Sequence, residues 1–447
     1  MNRGVYTLAL RVLAPLLWLW MARRAKRAGG QWEIFSRERF GHTPSAWCSS
    51  AGTSPVPSSP SSSAAPPWSA PVWVHAVSLG ETRAAQPLLQ ALLDRGLPVL
   101  LTHMTATGRA EGQRLFAEAS ARGQLRQAWL PYDFPGATRR FMANHRPRCG
   151  LLIEREIWPN LLVAARGSGV PMALVSARFS ASSLRQAQRM GSVMREALAG
   201  LDLVLAQTAD DAGRLRQAGA RNPIITGNLK FDLALPPEQV RSGQAWRAAL
   251  RRPIVAIAST REGEDAPFID AIRYQQAQRI LTDALPPPLF VLIPRHPQRF
   301  DEAAQQLSNA GLSHVRRSSG VEPTSQTSVL LGDTLGEMAF YYAASDVAIV
   351  AGSFAPLGGQ NLIEACAAGV PVIVGPHTFN FLQAANDAIA AGAALREADP
   401  AQAVQAALDL LQDDARRQDA SHAARAWFEL HAGATRRTMD ALAPWLG

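Results

Sequence analysis

Two series of short apolar segments, separated by helical patterns, constrain the fold of this 447-residue chain more than any other feature. The segments lack polar alternation, as is typical of strands buried on both faces of a parallel sheet. The first series lies at residues 72–77, 97–102, 149–153, 171–176 and 201–207. The second lies at residues 253–259, 288–294, 328–332, 347–350 and 370–375. We therefore predict two Rossmann-like α/β domains, in residues 72–235 and 236–447.

An apolar segment near the amino terminus, followed at once by basic residues, indicates membrane association. Residues 12–22 read VLAPLLWLWMA and residues 23–27 read RRAKR. The apolar run crosses a bilayer only if it extends back to Tyr6 and the Arg11 side chain snorkels. A signal peptide carries its charge before the apolar core, whereas here the charge follows it. We predict a membrane anchor and basic segment in residues 1–43, spanning the membrane or lying in its plane, with the remaining chain in the cytoplasm.

The charge of this segment indicates which partner it meets. Residues 1–41 contain eight arginines and lysines against two glutamates, which accounts for +6 of the chain's net charge of +9. No aromatic–basic platform or nucleic-acid motif follows, so we predict anionic membrane lipids and no nucleic acid as the partner. The alternative is that residues 12–22 form a buried helix of the first domain.

Residues 44–71 consist mostly of Ser, Pro and Ala. Such a segment buries too little apolar area to offset its ordering entropy, so we predict a disordered linker or insertion. The chain has only three cysteines and no C-x-x-C pair, which excludes a disulfide framework and a cysteine zinc site and fits a reducing compartment.

Three motifs lie at the ends of predicted strands in the first domain. Residues 75–82 (HAVSLGET) place Glu81 in the first turn of a helix, where a carboxylate is stabilised by the helix dipole. Glu81 either serves a ligand that approaches the backbone at Gly80 or only completes the start of the helix. Residues 154–160 (EREIWPN) put two carboxylates directly after an apolar strand, either in a solvated loop or in a cleft for acid–base or charge-stabilising work. Residues 227–232 (GNLKFD) follow a short apolar run, and Lys230 either faces an anion or lies on the surface.

The second domain carries a set of residues suited to anion binding. Arg295 follows one predicted strand, and residues 333–337 (DTLGE) follow another and are expected to cap a helix. Residues 358–369 (GGQNLIEACAAG) form a glycine-rich loop that opens a helix, whose free N–H groups suit a phosphate. Glu364, one turn inside, is placed to accept hydrogen bonds from ribose hydroxyls.

Other catalytic classes lack their motifs. The chain has no Walker A sequence, no G-x-S-x-G elbow and no His-x-x-x-His pair. Its nine histidines are scattered, so we expect ordinary surface or packed histidines and no metal site.

Together these motifs resemble bacterial 3-deoxy-D-manno-octulosonic acid (Kdo) transferases. The resemblance runs from the amino terminus to about residue 385, interrupted by the Ser/Pro-rich segment, and rests on RERFG, HAVSLGE, LPYDFP, E-x-E-I-W-P-N, SARFS, GNLKFD, ASTREGE, PRHPQRF, GDTLGE and GPHTFNF in that order. It implies the GT-B fold, with two facing Rossmann-like domains and an amino-terminal anchor helix. It also implies inverting transfer of Kdo from CMP-Kdo to lipid IVA, without a cofactor or metal, in lipopolysaccharide biosynthesis at the cytoplasmic side of the inner membrane.

The resemblance assigns roles residue by residue. Glu81 takes the position of the base that activates the acceptor, and Glu154 and Lys230 take the charge-stabilising positions. The donor-binding positions are Pro294, Arg295, Leu335, Gly336, Glu337, Asn361, Leu362, Ile363 and Glu364.

The chain departs from the family pattern at three places. Arg155 replaces a threonine or similar residue between the two glutamates, and it is positioned to pair with Glu154 and lower its pKa. Arg261 stands where histidine is usual, and Leu362 stands where proline is usual. Two other interpretations remain: a UDP-sugar transferase with a soluble acceptor, and a non-catalytic membrane-bound binder. The number of Kdo residues transferred is not determined by any residue we can name.

Overall fold

The computed structural model describes residues 1–28, 32–43, 68, 70–233, 235–279 and 287–447. The chain divides into two compact units. Unit 1 comprises Met1–Leu233 and Ala432–Gly447, and unit 2 comprises Ala234–His431. The predicted linker at residues 44–71 lies almost entirely outside the described residues.

Unit 1 contains a seven-stranded parallel sheet of order β3-β2-β1-β4-β5-β6-β7. Its strands are β1 (Val72–His75), β2 (Val99–His103), β3 (Leu125–Trp129), β4 (Cys149–Ile153), β5 (Met172–Ala177), β6 (Leu203–Ala206) and β7 (Ile224–Ile225). The five predicted apolar segments are confirmed as strands. The order of the strands reverses between β1 and β4, which is where doubly wound sheets bind ligands.

Helices cover both faces of this sheet. They are α1 (Arg3–Ala28), α2 (Leu79–Ala84), α3 (Gln86–Asp94), α4 (Ala106–Leu115), α5 (Ala117–Ala121), α6 (Pro135–His145), α7 (Pro159–Gly167), α8 (Ala181–Met190), α9 (Ser192–Ala199) and α10 (Ala209–Ala218). Successive residues of β1 enter opposite cores, because strand side chains alternate: Trp73 packs in one core, and Val72 and Val74 in the other.

Unit 2 repeats this architecture. Its parallel sheet has the order β10-β11-β9-β8-β12-β13-β14. The strands are β8 (Ile254–Thr260), β9 (Leu289–Pro294), β10 (His314–Arg316), β11 (Val329–Leu331), β12 (Val347–Val350), β13 (Val372–Val374) and β14 (Ala394–Arg396). The helices are α11 (Pro237–Leu250), α12 (Asp265–Arg279), α13 (Phe300–Asn309), α14 (Met338–Ala344), α15 (Ile363–Ala367), α16 (Leu382–Ala390), α17 (Pro400–Gln412) and α18 (Asp414–His431). The predicted second series of strands is confirmed.

The last helix, α19 (Ala434–Leu446), belongs to unit 1, which differs from the predicted domain of residues 236–447. Met439 and Leu442 pack in the same core as β1 and α3, and Arg437 donates a hydrogen bond to the Thr226 carbonyl at 2.8 Å. The sequence shows that the helix is amphipathic, but an apolar face does not specify which of two cores it will join.

The amino-terminal helix α1 rests on unit 1 near both ends. The Met1 carbonyl accepts hydrogen bonds from the Val193 backbone at 3.0 Å and from the Ser192 hydroxyl at 3.2 Å. Further along, the Trp18 ring packs edge-on against aromatic rings that include Phe35 and Phe40. Residues 3–23 are long and apolar enough to cross a membrane, as predicted for an anchor, yet the helix exposes most of its apolar side chains.

Candidate active site

Glu81 lies where β1 passes into α2. Ser78 is the extended residue that precedes the helix, and Glu81 falls in the first turn, as predicted. Its carboxylate turns back and accepts a hydrogen bond from the Val77 backbone N–H at 2.7 Å. Apart from its chain neighbours and the backbone of its own helix, nothing in the described residues lies within 4 Å of the position that a Cβ at Gly80 would occupy, so there is space beside the first turn of the helix.

Glu154 directly follows β4, on the neighbouring strand. Its backbone adopts φ 60°, a left-handed conformation that is costly for a residue with a side chain. The surrounding sheet holds it there, because the Glu154 N–H donates to the Val175 carbonyl and the Glu154 carbonyl accepts from the Arg178 N–H. The buried carboxylate therefore projects from the strand end rather than into a solvated loop.

Lys230 is the partner of Glu154. Its ammonium group donates a 2.7 Å hydrogen bond to Glu154 Oε1. The lysine lies in a short 3₁₀ helix anchored by the buried neighbours Leu229 and Phe231, and the Asn228 side chain accepts from its backbone N–H at 3.0 Å. The lysine side chain is 20% exposed, so the alternative of an ordinary surface lysine is wrong.

The two carboxylates of this site have opposite electrostatic environments. Burial, reinforced by the charges of Glu156 and Glu154, raises the pKa of Glu81 to about 8. Burial also opposes ionisation of Glu154, but Lys230 together with Arg178 and Arg155 outweighs it and holds that pKa below its ordinary value. Arg155 lowers the pKa of Glu154 as predicted, though less than Lys230 does. When the pKa values of two neighbouring carboxyl groups are shifted in opposite directions, one group can act as a proton acceptor while the other remains a fixed anion.

These shifts predict how the stability of the protein changes with pH. A carboxyl group with a higher pKa in the folded than in the unfolded chain binds its proton more tightly when folded, so stability falls as pH rises between the two values. For Glu81 this interval runs from the ordinary 4.5 to about 8. We expect the urea midpoint of Glu81→Gln to decline less than that of the unmodified protein from pH 5 to pH 8. An equal decline in both would contradict the assigned environment.

Two residues of this site were not assigned from the sequence. The Trp158 indole donates a hydrogen bond to Glu156 Oε2 at 2.9 Å, and the buried ring of His75 lies on the other side, with Nε2 3.9 Å from the same oxygen. Burial raises the pKa of Glu156 to about 7. The E-x-E spacing was the signal for Glu156, whereas His75 resembled an ordinary packed histidine.

In unit 2 the structure brings Arg295 and Glu364 to the same neighbourhood. Both interact electrostatically with the buried hydroxyl of Tyr342, whose pKa is raised chiefly by burial. Arg295 follows β9, and its backbone N–H donates to the Thr260 carbonyl at the end of β8. Pro294, the last residue of β9, is buried, so it shapes this edge through its packing.

Glu337 has hydrogen-bond partners of its own. It accepts hydrogen bonds from Arg317 at 3.0 Å and from Thr334. The predicted helix cap in residues 333–337 is wrong, because Glu337 itself occupies the cap position of α14 and no side chain caps the helix. The nearby Leu335 side chain is 71% exposed, and Gly336 adopts a left-handed φ of 82°.

The glycine-rich loop leads into α15, as predicted, but that helix is only five residues long. Asn361 accepts from the Ile363 backbone and donates to Glu364 Oε1, both at 3.1 Å. The side chains of Leu362 and Ile363 are each 1% exposed, so only their backbone atoms remain available to a ligand.

Glu264 was also unassigned, and it holds the segment that precedes the glycine-rich loop. Its buried carboxylate accepts hydrogen bonds from the backbone N–H groups of Gly352, Phe354 and Ala355 at 2.7–3.1 Å. These groups follow β12, which lies beside β8, so Glu264 bridges the two strand ends where the order of the unit 2 sheet reverses. Within the described part of the chain, no three His, Cys, Asp or Glu residues are grouped to hold a metal ion.

Known proteins match the chain along its length. Residues 36–233 match the family model described as 3-deoxy-D-manno-octulosonic-acid transferase (kdotransferase), and residues 316–427 match glycosyl transferases group 1. A glycosyltransferase structure from Rickettsia africae has a TM-score of 0.54 at 12% identity, over 85% of this chain and 99% of that one. It shows the fold alone, two Rossmann-like domains of the GT-B type.

Two relatives settle the family. The 3-deoxy-D-manno-octulosonic acid transferase of Bordetella pertussis is 69% identical and covers 100% of both chains. The enzyme of the same name from Haemophilus influenzae is 32% identical over 84% of this chain and 87% of its own. With this degree of identity over most or all of each chain, the protein belongs to the 3-deoxy-D-manno-octulosonic acid transferase family of glycosyltransferases.

Proposed function

We propose that this enzyme transfers Kdo from CMP-Kdo to lipid IVA, the lipid A precursor, with inversion at the anomeric carbon, as a step of lipopolysaccharide biosynthesis. The observation that carries the proposal is the arrangement at the β1 and β4 ends of unit 1. There Glu81 lies near the Glu154–Lys230 pair, and all three occupy the family's motif positions.

The side chains of unit 1 account for the proton and charge balance. An acceptor hydroxyl oxygen bonds to the anomeric carbon of Kdo as the bond from that carbon to the CMP phosphate oxygen breaks. Glu81 takes the hydroxyl proton, and the bonding electrons leave with CMP. Lys230, held by Glu154, offers a fixed positive charge to the Kdo carboxylate or the departing phosphate.

Unit 2 supplies the proposed donor-binding residues. Arg295 provides a charged donor for the CMP phosphate, and the backbone of Asn361–Glu364 provides further N–H groups. Glu364 and Glu337 offer carboxylates to hydroxyl or amino groups of the nucleoside. No step of this chemistry requires a metal, since arginine, lysine and backbone donors supply the positive charge.

We further infer that α1 lies in the plane of the cytoplasmic leaflet of the inner membrane. Besides the contacts of Met1 and Trp18, the Tyr6 hydroxyl donates to Asp133 Oδ2 at 2.9 Å, and Thr7 bonds to Asn160 at 3.1 Å. A helix that spans about 30 Å of hydrocarbon would carry one end away from these partners. The opposite face exposes apolar side chains at the helical spacing, at Val5, Leu8, Val12, Leu16 and Leu19.

This orientation predicts the effect of charge on the exposed face. We expect Val12→Glu combined with Leu16→Glu to weaken binding to vesicles of phosphatidylethanolamine and phosphatidylglycerol at least about tenfold, because each buried aliphatic side chain contributes about 1.5–3 kcal/mol. Flotation through a density gradient measures the change. Leu430→Glu, on an 80% exposed apolar residue of unit 2, is the matched control and should float normally. Unchanged flotation of the double variant would contradict the proposed face.

The in-plane and spanning orientations give different labelling patterns. In spheroplasts, an impermeant maleimide should label Asn2→Cys only after lysis if α1 lies on the cytoplasmic leaflet. Labelling before lysis would place the amino terminus outside and support a spanning helix.

Product mass tests the proposed reaction. Purified enzyme in detergent, given CMP-Kdo and lipid IVA, should produce lipid IVA heavier by one or more Kdo residues, and the gain also counts the residues added. UDP-sugars in place of CMP-Kdo should give no product. No gain with CMP-Kdo, alongside an active control enzyme, would overturn the proposed donor and acceptor.

A further inference from the structure

The buried His75 and the partly buried Glu156 form a pair beside Glu81, at the edge of the site. His75 ends β1 and is completely buried, and its Nδ1 lies 3.1 Å from the Thr102 carbonyl oxygen and 2.9 Å from the Thr102 hydroxyl. Since a carbonyl oxygen only accepts hydrogen bonds, this contact places a hydrogen on Nδ1. The Thr102 hydroxyl oxygen also accepts from the Trp73 indole at 2.9 Å.

With its hydrogen on Nδ1, a neutral His75 presents the lone pair of Nε2 to Glu156. Nε2 is buried and has no hydrogen-bond partner among the described residues, and Glu156 Oε2 lies 3.9 Å away. Two acceptors that face each other in a buried site repel unless a proton lies between them. A movement of about 1 Å would bring the two atoms to hydrogen-bond distance around that proton.

The surroundings decide which of the two atoms carries the proton. His75 does not become positively charged, because burial lowers its pKa to about 3 and His103 and Arg39 oppose the charge further. Glu156 has two acidic neighbours in Glu154 and Glu81 and one basic neighbour in Arg155, and burial favours its neutral form. Glu154 is paired with Lys230, and Arg178 and Arg155 also lower its pKa.

We propose that His75 holds Glu156 as a neutral carboxylic acid in the resting enzyme, and that this neutral pair is what allows Glu81 to ionise and accept the proton of the acceptor. The second half rests on the proposed function of Glu81. Glu156 and His75 are positioning residues, since they act through Glu81 rather than on the substrate. An ionised Glu156 would repel a second negative charge on Glu81 and leave the base protonated over a wider pH range.

Infrared difference spectroscopy tests the neutral acid without relying on activity. The unmodified protein at pH 6 should show the carbonyl band of protonated carboxyl groups, and Glu156→Gln should lose one component of it. Glu81→Gln removes a different component, which separates the two groups. Retention of the whole band in Glu156→Gln would show that Glu156 is ionised and would overturn the proposal. If that variant does not fold, His75→Gln should lose the same component, because its amide donates to an ionised Glu156.

The pH profile of kcat/KM tests the link to Glu81. Glu156→Gln keeps a neutral group beside His75 and should leave the acid limb at its original pH or move it lower. His75→Gln stabilises an ionised Glu156 and should move the acid limb higher, so that activity at pH 7 falls severalfold and recovers at pH 9. If the two variants had identical pH profiles, or if both moved the acid limb in the same direction, the proposed coupling to Glu81 would be overturned. An enzyme that shows the Glu156 band but transfers no Kdo would overturn the proposed function and leave the neutral pair standing.

Discussion

Glu81→Ala should lower the rate of Kdo transfer at least about a hundredfold, because it removes the group proposed to accept the acceptor's proton. CMP binding should persist, since Glu81 lies in unit 1 and the proposed donor-binding residues lie in unit 2. Product formation followed by mass spectrometry gives the rate, and titration calorimetry with CMP gives the affinity. The rate should fall through kcat more than through KM for the lipid.

Two further variants make this result specific. Glu81→Gln preserves the shape of the side chain and should be nearly as inactive, because an amide cannot take the proton. Glu118→Ala removes an 89% exposed carboxylate of the same unit and should keep full activity. Loss of CMP binding in Glu81→Ala would contradict the proposed division of roles between the two units.

Lys230→Met should destabilise the protein by about 3 kcal/mol and also abolish transfer. The substitution leaves the Glu154 carboxylate, with its side chain 10% exposed, without its principal partner. Removing one member of a buried ion pair typically costs about 3–5 kcal/mol, and the partial exposure of Lys230 favours the lower end. Urea unfolding with a constant m-value measures the loss.

A double variant measures the interaction energy between Glu154 and Lys230 separately from the contribution of each side chain. Glu154→Gln combined with Lys230→Met should cost less than the sum of the two single variants, because each single variant leaves an uncompensated charge and the double variant leaves none. The exposed pair of Arg122 and Glu118, 3.5 Å apart on α5 and just after it, is the matched control. Arg122→Ala should change stability by less than about 1 kcal/mol. Additive effects in the Glu154–Lys230 cycle would show that the two side chains do not interact in solution.

The acid dependence of stability follows from the same pair. The pKa of Glu154 is lower in the folded chain than its ordinary 4.5, so its contribution is present above that value and is lost as pH falls through the folded value. Lys230→Met should therefore reduce the loss of stability on acidification below pH 5. This is opposite to the behaviour of Glu81, whose contribution is lost as pH rises.

The strands were predictable where both faces are buried. Segments such as residues 149–153 consist of apolar residues throughout, and this pattern is typical of the central strands of a covered parallel sheet. Strand β3 at Leu125–Trp129 was missed, because Arg126 and Gln127 interrupt its apolar character at the edge of the sheet. Short edge strands such as β10 and β14 were missed for the same reason.

The residues of the candidate site were predictable where they belong to a recognisable sequence motif. Glu81, Glu154 and Lys230 lie in three segments far apart in the chain, yet the resemblance predicted one site, and the sheet order explains how they meet. His75 and Glu264 were missed because their roles depend on neighbours from other strands. A histidine in an apolar strand is equally consistent with simple packing.

The sequence by itself determined the class of fold, the positions of the apolar strands along the chain, the family and the candidate site residues. These depend on composition, periodicity and local motifs. The tertiary structure decided which core the last helix joins, how α1 lies on unit 1 and which partner each carboxylate meets. It also decided that Glu154 meets Lys230 and Glu156 faces His75. These features depend on contacts between distant segments, and the burial and charge that such contacts create set the ionisation of each group.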